Sequence, residues 1–275
     1  MRGLDGKRVL ILGGGADGPA AGGQGLPMGN GRAVAIRLAE EGAVVAVGDL
    51  DLGRAQQTAD ALATPGVALQ ADLGVLDDCR RLVAEAEREI GALDIVVANA
   101  AITDLRPLRS LDQQSWDRSF AVNVDGHAVV AQAALPGMLE RGHGVFVFVS
   151  STAALLSSGV SVSYEASKAA QLALMRHIAV RYASRGVRSN AVVLGVIDST
   201  MVRRVFSASS DSAKARDELG PMQRQGTPEE VGAAAAFLAS DDSSYVNGIS
   251  LVIDGGVSAQ WPNPRTQDSG GTDNA

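Results

Sequence analysis

A tyrosine and a lysine stand four positions apart at Tyr164 and Lys168, shortly after a serine, Ser151. Residues with this spacing lie on the same face of a helix, so the phenol and the ammonium would be neighbours. A free tyrosine has a pKa near 10 and is a poor base at neutral pH. A fixed ammonium at about 4 Å contributes roughly 4 kcal/mol at an effective dielectric of about 20, enough to lower a pKa by about 3. The pair therefore predicts general acid/base chemistry at Tyr164, with Lys168 lowering its pKa.

Strands and helices alternate along the chain and would position these side chains. The predicted strands cover residues 8–12, 43–49, 67–72, 93–100, 144–150, 187–194 and 249–254, and the predicted helices 31–42, 52–63, 78–91, about 116–139 and 164–186. Continuous apolar strands joined by amphipathic helices indicate a parallel sheet buried on both faces. We therefore predict an α/β fold with a Rossmann-type, doubly wound sheet of about seven strands and helices on both faces.

One domain is expected over residues 1–258, followed by a flexible polar tail over 259–275. Within the domain, Thr227, Pro228 and Glu230 have the spacing of a capping box and predict the start of a further helix.

Ser151 comes at the end of the fifth predicted strand. Ligands of open α/β sheets bind outside the carboxyl ends of the strands. Ser151 is therefore expected to donate to the substrate oxygen and to hold it against Tyr164.

A nucleotide site is indicated where the first strand ends in glycine and a helix follows. A helix N-terminus presents unpaired N–H groups and a positive dipole end, which suit a pyrophosphate. Gly13 would permit a tight exit from the strand, and Gly31 a close approach of the helix to the sheet. Asp49 ends the second strand, where an acid bonds the ribose hydroxyls and repels a 2′-phosphate. These residues predict NAD rather than NADP, with Asp51 as the alternative to Asp49.

Together these features resemble the short-chain dehydrogenase/reductase family over residues 4–256. The resemblance rests on Tyr164 and Lys168 with a serine thirteen residues before the tyrosine, and on FAVNVDG, whose Asn123 matches the family's active-site asparagine. It implies a catalytic tetrad of Asn123, Ser151, Tyr164 and Lys168. In that tetrad Asn123 positions a water that links to Lys168, and Lys168 also bonds the nicotinamide ribose.

The glycine-rich loop departs from the family pattern. Gly13 matches the first glycine and Gly29-Asn30-Gly31 the later ones, but the loop between them is about twelve residues longer than usual. The resulting insert, about residues 14–28, is either a surface excursion without consequence or a segment that folds over the cofactor phosphates or touches a neighbouring subunit.

Further cofactor contacts follow from the strand ends and from the resemblance. Asp72 ends the third strand within reach of the adenine, with a helix cap as the alternative. By resemblance, Asn99 supports the sheet near the adenosine ribose, and Ser199 bonds the nicotinamide carboxamide, with Thr200 as a close alternative. The full predicted set is Gly13, Gly15, Gly29, Asn30, Gly31, Asp49, Leu50, Asp72, Leu73, Asn99, Ala100, Tyr164, Lys168, Gly195, Ile197 and Ser199.

The substrate region is predicted to be mostly apolar, because Ala153-Ala154-Leu155-Leu156 follow the catalytic serine. Residues 200–225 fall where the family has its mobile substrate lid. Arg203 and Arg204 in this segment are expected on a solvated helix face, with binding of an acidic substrate as the alternative.

Composition narrows the partners of this chain of 275 residues, which is 46% hydrophobic with a net charge of -7. Scattered basic residues argue against nucleic acid, which needs a concentrated positive face. The single cysteine, Cys79, excludes an intrachain disulfide and favours the cytoplasm. No stretch approaches the roughly 20 apolar residues that span a bilayer, so no membrane partner is expected. His127, His143 and His177 lack the spacing of metal ligands, so no metal is expected.

The sequence thus predicts an NAD-dependent oxidoreductase that interconverts a secondary alcohol and a ketone by hydride transfer. The positive charge of an oxidised nicotinamide would add to that of Lys168 in lowering the pKa of Tyr164. Two alternatives stay open: a catalytically silent, NAD-binding regulatory protein, and a non-redox activity of the epimerase or dehalogenase type. The resemblance also implies a homotetramer with residues 115–139 and 164–186 at its interfaces.

Overall fold

A computed structural model describes residues 1–15, 28–64, 66–205 and 210–260. The strands are β1 (Arg8–Leu12), β2 (Val44–Asp49), β3 (Val67–Gln70), β4 (Ile95–Ala98), β5 (Gly144–Ser151), β6 (Val187–Leu194) and β7 (Ser250–Ile253). They form one parallel sheet of seven strands in the order β3-β2-β1-β4-β5-β6-β7. This architecture confirms the predicted doubly wound α/β fold.

Helices cover both faces of the sheet. They are α1 (Asn30–Glu40), α2 (Leu52–Asp60), α3 (Leu76–Ile90), α4 (Gln113–Phe120), α5 (Gly126–Arg141), α6 (Val162–Tyr182), α7 (Thr200–Val205), α8 (Ser210–Asp217) and α9 (Pro228–Ala239). None of the helices in the described ranges has the length and hydrophobicity of a membrane-spanning segment. Most of the predicted insert, residues 16–27, and the predicted tail beyond residue 260 lie outside the described residues.

Alternation along the central strands builds two separate cores. In β1, Val9 and Ile11 pack into the core under α1 and α9, whereas Leu10 and Leu12 pack into the core under α3, α5 and α6. Successive side chains of a strand point to opposite faces, so one apolar strand serves both cores. Full burial of such a side chain contributes about 1.5–3 kcal/mol. The central strands are therefore rigid supports for the residues at their carboxyl ends.

The strand order reverses between β1 and β4, which are hydrogen-bonded neighbours in the sheet although two other strands, β2 and β3, lie between them in the sequence. From β1 the chain moves outward to β2 and β3, and from β4 outward in the other direction to β7. Loops leaving the two neighbouring strands diverge and leave a crevice at their carboxyl ends. The fold thus places Gly13 and Asn99 on the two sides of one crevice.

The helix predicted at about residues 116–139 is interrupted. It begins at Gln113, and one π-helical turn, Ala121–Asp125, separates α4 from α5. Just after this turn, a Cβ atom on Gly126 would lie 2.3 Å from the carbonyl oxygen of Leu73, so α5 packs closely against the loop after β3. Such turns occur often at functional sites, and this one contains Asn123.

The predicted start of the last helix is confirmed. The Thr227 hydroxyl accepts from the N–H of Glu230 at 3.4 Å, and the Glu230 carboxylate accepts from the N–H of Thr227 at 2.8 Å. Pro228 occupies the first turn, where its missing N–H costs nothing. Both halves of the capping box therefore satisfy N–H groups that the helix itself leaves unpaired.

Replacing the cap tests this arrangement. Thr227→Ala is expected to lower the free energy of unfolding by about 1 kcal/mol, because the N–H of Glu230 loses its side-chain acceptor. Thr227→Ser keeps the hydroxyl and is the matched control. Urea denaturation of the three proteins measures the difference, and equal stability of the Ala and Ser variants would contradict the capping role.

Candidate active site

A cavity of about 260 Å³ lies at the carboxyl edge of the sheet, between the ends of β1 and β4. Most of the predicted cofactor contacts line it: Gly13, Gly15, Gly29, Asn30, Gly31, Asp49, Leu50, Asp72, Leu73, Asn99, Ala100, Tyr164, Lys168 and Ser199. Gly195 and Ile197 are not among its lining residues. Gly195 packs against Asp254, and Ile197 lines a second cavity of about 510 Å³.

The first glycines hold the start of α1 against the end of β1. Gly13 has a φ of +72°, and its N–H donates to the carbonyl of Gly48 at 2.8 Å. Its carbonyl accepts from the side-chain amide of Asn99 at 2.7 Å. A Cβ atom on Gly31 would lie 2.1 Å from that carbonyl oxygen, so a larger residue would push the helix away. These contacts place the N-terminus of α1 beside the cavity.

The residues at this end of the cavity fit a dinucleotide. The N-cap of α1 is Gly29, which has no side chain to accept from the first-turn N–H groups, and the first turn contains no acidic residue. An anion is therefore favoured there by the N–H groups and the helix dipole. At the end of β2, the Asp49 carboxylate accepts from the N–H of Gly15 at 2.8 Å and of Asp51 at 3.1 Å, which fixes it in the cavity wall.

Asp51 is the less suitable of the two candidate ribose ligands. It is the N-cap of α2, where its side chain accepts from the N–H of Arg54 at 3.1 Å, and it is not a lining residue of the cavity. Arg54 does line the cavity, and its Nε lies 3.5 Å from an Asp51 carboxylate oxygen. An arginine after β2 is the type of residue that accommodates a 2′-phosphate, and Arg54 was not predicted from the sequence as a cofactor contact.

Asp72 lies in the turn between β3 and α3. Its carboxylate accepts from the N–H of Gly74 at 2.8 Å, whereas the N-cap of α3 is Val75, so Asp72 is not a helix cap. Arg118 and Val122 line the same cavity and were not foreseen from the sequence. Their positions in the cavity wall depend on how α4 and the π-helical turn pack, which no local sequence pattern indicates.

The tyrosine and the lysine lie on the first two turns of α6, as their spacing predicts. The start of this helix is held by the loop after β4, because the Ser161 hydroxyl donates to the carbonyl of Asp104 and the N–H of Val162 donates to that of Arg106. Both Tyr164 and Lys168 line the cavity. The structure therefore brings the predicted acid/base pair and the predicted nucleotide contacts to one place.

Lys168 is almost completely buried, with 2% of its surface exposed. Its ammonium donates to the carbonyl of Val149 at 2.9 Å and to the side-chain oxygen of Gln171 at 3.1 Å. Burial disfavours the charged form and lowers the pKa of Lys168 to about 7. The charged form of this lysine is therefore costly in the folded chain, and its two acceptors offset part of that cost.

The pKa of Tyr164 is raised, which is opposite to the sequence-based expectation. Burial raises it, and the neighbouring Ser151 hydroxyl lowers it by less. The ammonium of Lys168 lies 5.7 Å from the centre of the tyrosine ring and donates to Val149 and Gln171. In the chain alone, desolvation therefore outweighs the attraction that the spacing suggested.

Asn123 is fully buried in the π-helical turn. Its side-chain oxygen accepts from the N–H of Ile102 at 2.8 Å, and its amide donates to the carbonyl of Ile102 and to the hydroxyl of Ser167, each at 2.9 Å. Both amide hydrogens are therefore used within the protein. In this structure the side chain joins the loop after β4 to α6, and its predicted role with a water and Lys168 stays a prediction.

The predicted lid contains α7 and α8 on either side of residues 206–209, which lie outside the described residues. Ser199 and Thr200 both line the cavity at the start of α7. Arg203 pairs with Asp198 through two contacts of 2.7 and 2.6 Å. This ion pair uses the guanidinium within the protein, and the side chain of Arg204 lies outside the described part of the chain.

The side chains that follow Ser151 provide apolar surface. Leu155 and Leu156 follow the short 3-10 helix Thr152–Ala154, and each is 49% exposed. Within the described ranges, no group of three or more His, Cys, Asp or Glu residues is arranged to hold a metal ion.

Comparison with known proteins supports a family assignment. A family profile described as Enoyl-(Acyl carrier protein) reductase matches residues 25–258. A crystal structure of a short-chain type dehydrogenase/reductase from Mycobacterium marinum superposes with a TM-score of 0.83 at 30% identity, covering 94% of this chain and 97% of that one. The chain belongs to the short-chain dehydrogenase/reductase family.

Named relatives of this short-chain dehydrogenase/reductase oxidise hydroxylated substrates, as their names state. It is 37% identical to 2-(S)-hydroxypropyl-CoM dehydrogenase 3 of Xanthobacter autotrophicus over 262 residues, 93% of this chain and 98% of the relative. It is 38% identical to cis-4-hydroxycyclohexanecarboxylate dehydrogenase of Sinomonas cyclohexanicum over 239 residues, 86% of this chain and 94% of the relative. These similarities support an alcohol oxidoreductase.

Acid is expected to destabilise the enzyme through His127, which is 1% exposed. Burial, together with the charge of Lys168, lowers its pKa from 6.5 to about 3. Below about pH 6.5 the unfolded chain therefore binds a proton that the folded chain does not, so stability falls as the pH falls from about 6.5 to about 3.

Between pH 7 and pH 5 this effect amounts to about 2 kcal/mol. Urea denaturation at the two pH values measures it, and His127→Asn, which cannot titrate, is expected to lose that part of the pH dependence. The same pH dependence in both proteins would show that His127 is not the group responsible.

Proposed function

We propose that this protein is an NAD-dependent dehydrogenase that interconverts a secondary alcohol and a ketone. One observation carries the proposal: Tyr164 and Lys168 line the same cavity as Asp49 and the glycines at the N-terminus of α1. Alcohol oxidation needs both a proton-transfer pair and a nucleotide-binding site. A regulatory protein that only binds a nucleotide would need the nucleotide-binding site but not the proton-transfer pair.

The chain's own residues account for binding and proton transfer. The first N–H groups of α1 bind the pyrophosphate, Asp49 binds the adenosine ribose, and Ser199 and Lys168 hold the nicotinamide end. When bound, NAD supplies the hydride acceptor. The Ser151 hydroxyl orients the substrate oxygen, and the phenol oxygen of Tyr164 takes the alcohol proton during oxidation or returns it to the ketone oxygen during reduction.

The direction of the pKa of Tyr164 sets the expected pH dependence. Because burial raises this pKa, the phenol is protonated at neutral pH and is ready to donate to a ketone. Oxidation requires the phenolate, so its rate should rise with pH. Positive charge nearby favours the phenolate, and the Lys168 ammonium is the positive group that the chain provides.

A secondary alcohol with an apolar body is the substrate class that we favour. The relatives named above act on hydroxypropyl and hydroxycyclohexane compounds. Leu155 and Leu156 leave apolar surface exposed just beyond the 3-10 helix that follows β5 and Ser151, where the rest of such a substrate would lie. The ion pair of Arg203 with Asp198 disfavours a role for this arginine in binding an acidic substrate.

NAD is favoured over NADP by the charges at the end of β2. Asp49 lines the cavity, where its carboxylate would repel a 2′-phosphate. Arg54 could attract that phosphate, but the carboxylate of Asp51 lies next to its guanidinium.

The homotetramer implied by the family resemblance stays a prediction. It is in keeping with Val180 on α6, which is 83% exposed.

Turnover of a panel of cyclic, aromatic and aliphatic secondary alcohols, followed by NADH absorbance, tests the activity. Tyr164→Phe is expected to lower kcat by roughly 100- to 10,000-fold, because the proton acceptor is lost. NADH affinity, measured by fluorescence, should change little. Activity near that of the wild type in this variant would contradict proton transfer by Tyr164. NADH binding without turnover across the panel would favour the silent alternative.

Cofactor choice is tested by the dissociation constants of NADH and NADPH. Asp49→Ala is expected to weaken NADH binding roughly tenfold, as the loss of a charged hydrogen bond worth about 1.5 kcal/mol would do. The substitution should also reduce the ratio by which the protein binds NADH more tightly than NADPH. Arg54→Ala is the matched control and should leave NADH binding nearly unchanged. Tighter binding of NADPH than of NADH by the wild type would overturn the proposed cofactor.

A further inference from the structure

A buried polar array continues from Lys168 into the protein, away from the cavity. Gln171 is 0% exposed and His127, on the neighbouring helix α5, is 1% exposed. The Gln171 side chain lies 3.1 Å from the lysine Nζ through its oxygen and 2.7 Å from the Nδ1 atom of His127 through its nitrogen. The array therefore joins α5 to the first turns of α6 behind the active site.

The donors and acceptors of the array can be assigned by starting from the ammonium of Lys168. A lysine ammonium only donates, so the Gln171 atom that faces it must be the oxygen. The amide nitrogen then faces His127 and donates, so Nδ1 must be the unprotonated nitrogen of the ring. His127 is therefore neutral with its hydrogen on Nε2.

The surroundings of His127 keep it in this form. Its ring packs edge-on against Phe148, with 6.4 Å between the ring centres, and among the described residues its buried Nε2 has no hydrogen-bond partner. Burial and the charge of Lys168 lower the pKa of His127 to about 3, and the smaller effect of the Ala100 backbone raises it. A second hydrogen on Nδ1 would face the Gln171 amide hydrogens and would force the amide to turn its oxygen away from Lys168.

We propose that Gln171, oriented by His127, holds the Lys168 ammonium in place beside Tyr164, so that both are positioning residues of this active site. The proposal rests on the proposed function only in giving Lys168 a partner in proton transfer. The groups that face Lys168 are the Val149 carbonyl of β5, with Tyr164 and Gln171 of its own helix, and His127 acts on it from α5.

The experiment measures the pKa of Lys168 by NMR in the full-length protein without cofactor or substrate. The chain has three lysines, Lys7, Lys168 and Lys214, so labelling with ε-¹³C-lysine gives few signals. Lys7→Arg and Lys214→Arg assign the other two. In the wild type, Lys168 is expected to titrate near a pKa of about 7.

Changes at Gln171 should move this titration in opposite directions. Gln171→Leu removes an acceptor and should lower the pKa of Lys168 by about 1, because a charged hydrogen bond is lost. Gln171→Glu places a carboxylate against the ammonium and should raise it. A Lys168 pKa that is the same in all three proteins would overturn the proposal.

Substitutions of His127 distinguish its effect on the orientation of the Gln171 amide from its effect on packing between α5 and α6. His127→Leu removes the acceptor for the Gln171 amide and should lower the pKa of Lys168 nearly as much as Gln171→Leu does. His127→Asn keeps an acceptor close to the Nδ1 position and should hold the wild-type value, as should His143→Asn, a histidine paired instead with Lys7. In the wild type, ¹⁵N-histidine spectra should show His127 unprotonated at Nδ1 and unchanged between about pH 5 and 9. Protonation at Nδ1 would overturn the proposal without any variant.

Activity gives the link to catalysis. With an alcohol that the wild type oxidises, the rise of kcat with pH should shift to higher pH in His127→Leu, with KM little changed, and return to the wild-type position in His127→Asn. Unshifted profiles would overturn the positioning role. An active Tyr164→Phe variant, by contrast, would contradict the proposed function. The Lys168 titrations would still test whether Gln171 and His127 hold the ammonium in place.

Discussion

The burial of one ammonium group constrains much of this active site. A buried cation must be surrounded by acceptors, and those of Lys168 come from the carbonyl of Val149 and the side chain of Gln171. Even so, burial lowers its pKa from 10.5 to about 7, which corresponds to about 5 kcal/mol against the charged form. That cost is tolerated only where β5, α5 and α6 hold their positions closely. The rigid packing on this side of the sheet is therefore a condition for the chemistry at Tyr164.

The part of the cavity predicted to bind the nucleotide depends on the close packing of α1 against the end of β1. Here the missing side chain of Gly31 lets α1 contact the carbonyl of Gly13, which Asn99 also binds. Because Asn99 follows β4, it joins the glycine-rich loop to the strand next to β5. The two halves of the cavity thus share neighbouring central strands, whose apolar side chains are fixed in both cores. Movement of either half would disturb the distance between bound cofactor and phenol.

The sequence predicts the parts of this structure that repeat along the chain. The continuous apolar runs of the strands and the four-residue spacing of Tyr164 and Lys168 are local patterns. The strands and the helix α6 that these patterns predict occur where expected. Partners that meet only after folding have no such signal. Gln171 and His127 are 44 residues apart and come from different helices. The π-helical turn around Asn123 and the place of Arg54 beside Asp49 likewise depend on packing between elements.

The direction of the pKa of Tyr164 was missed for the same physical reason. Spacing indicates which charges are near one another, but desolvation depends on everything else that surrounds them. Burial raises the pKa of the phenol and lowers that of the ammonium, so it favours the neutral form of both. The attraction between the phenolate and the ammonium therefore has to offset two desolvation costs, one for each charged group. A group that holds the ammonium in its charged form therefore contributes to the ionisation of the tyrosine without touching it, and Gln171 is placed to be that group.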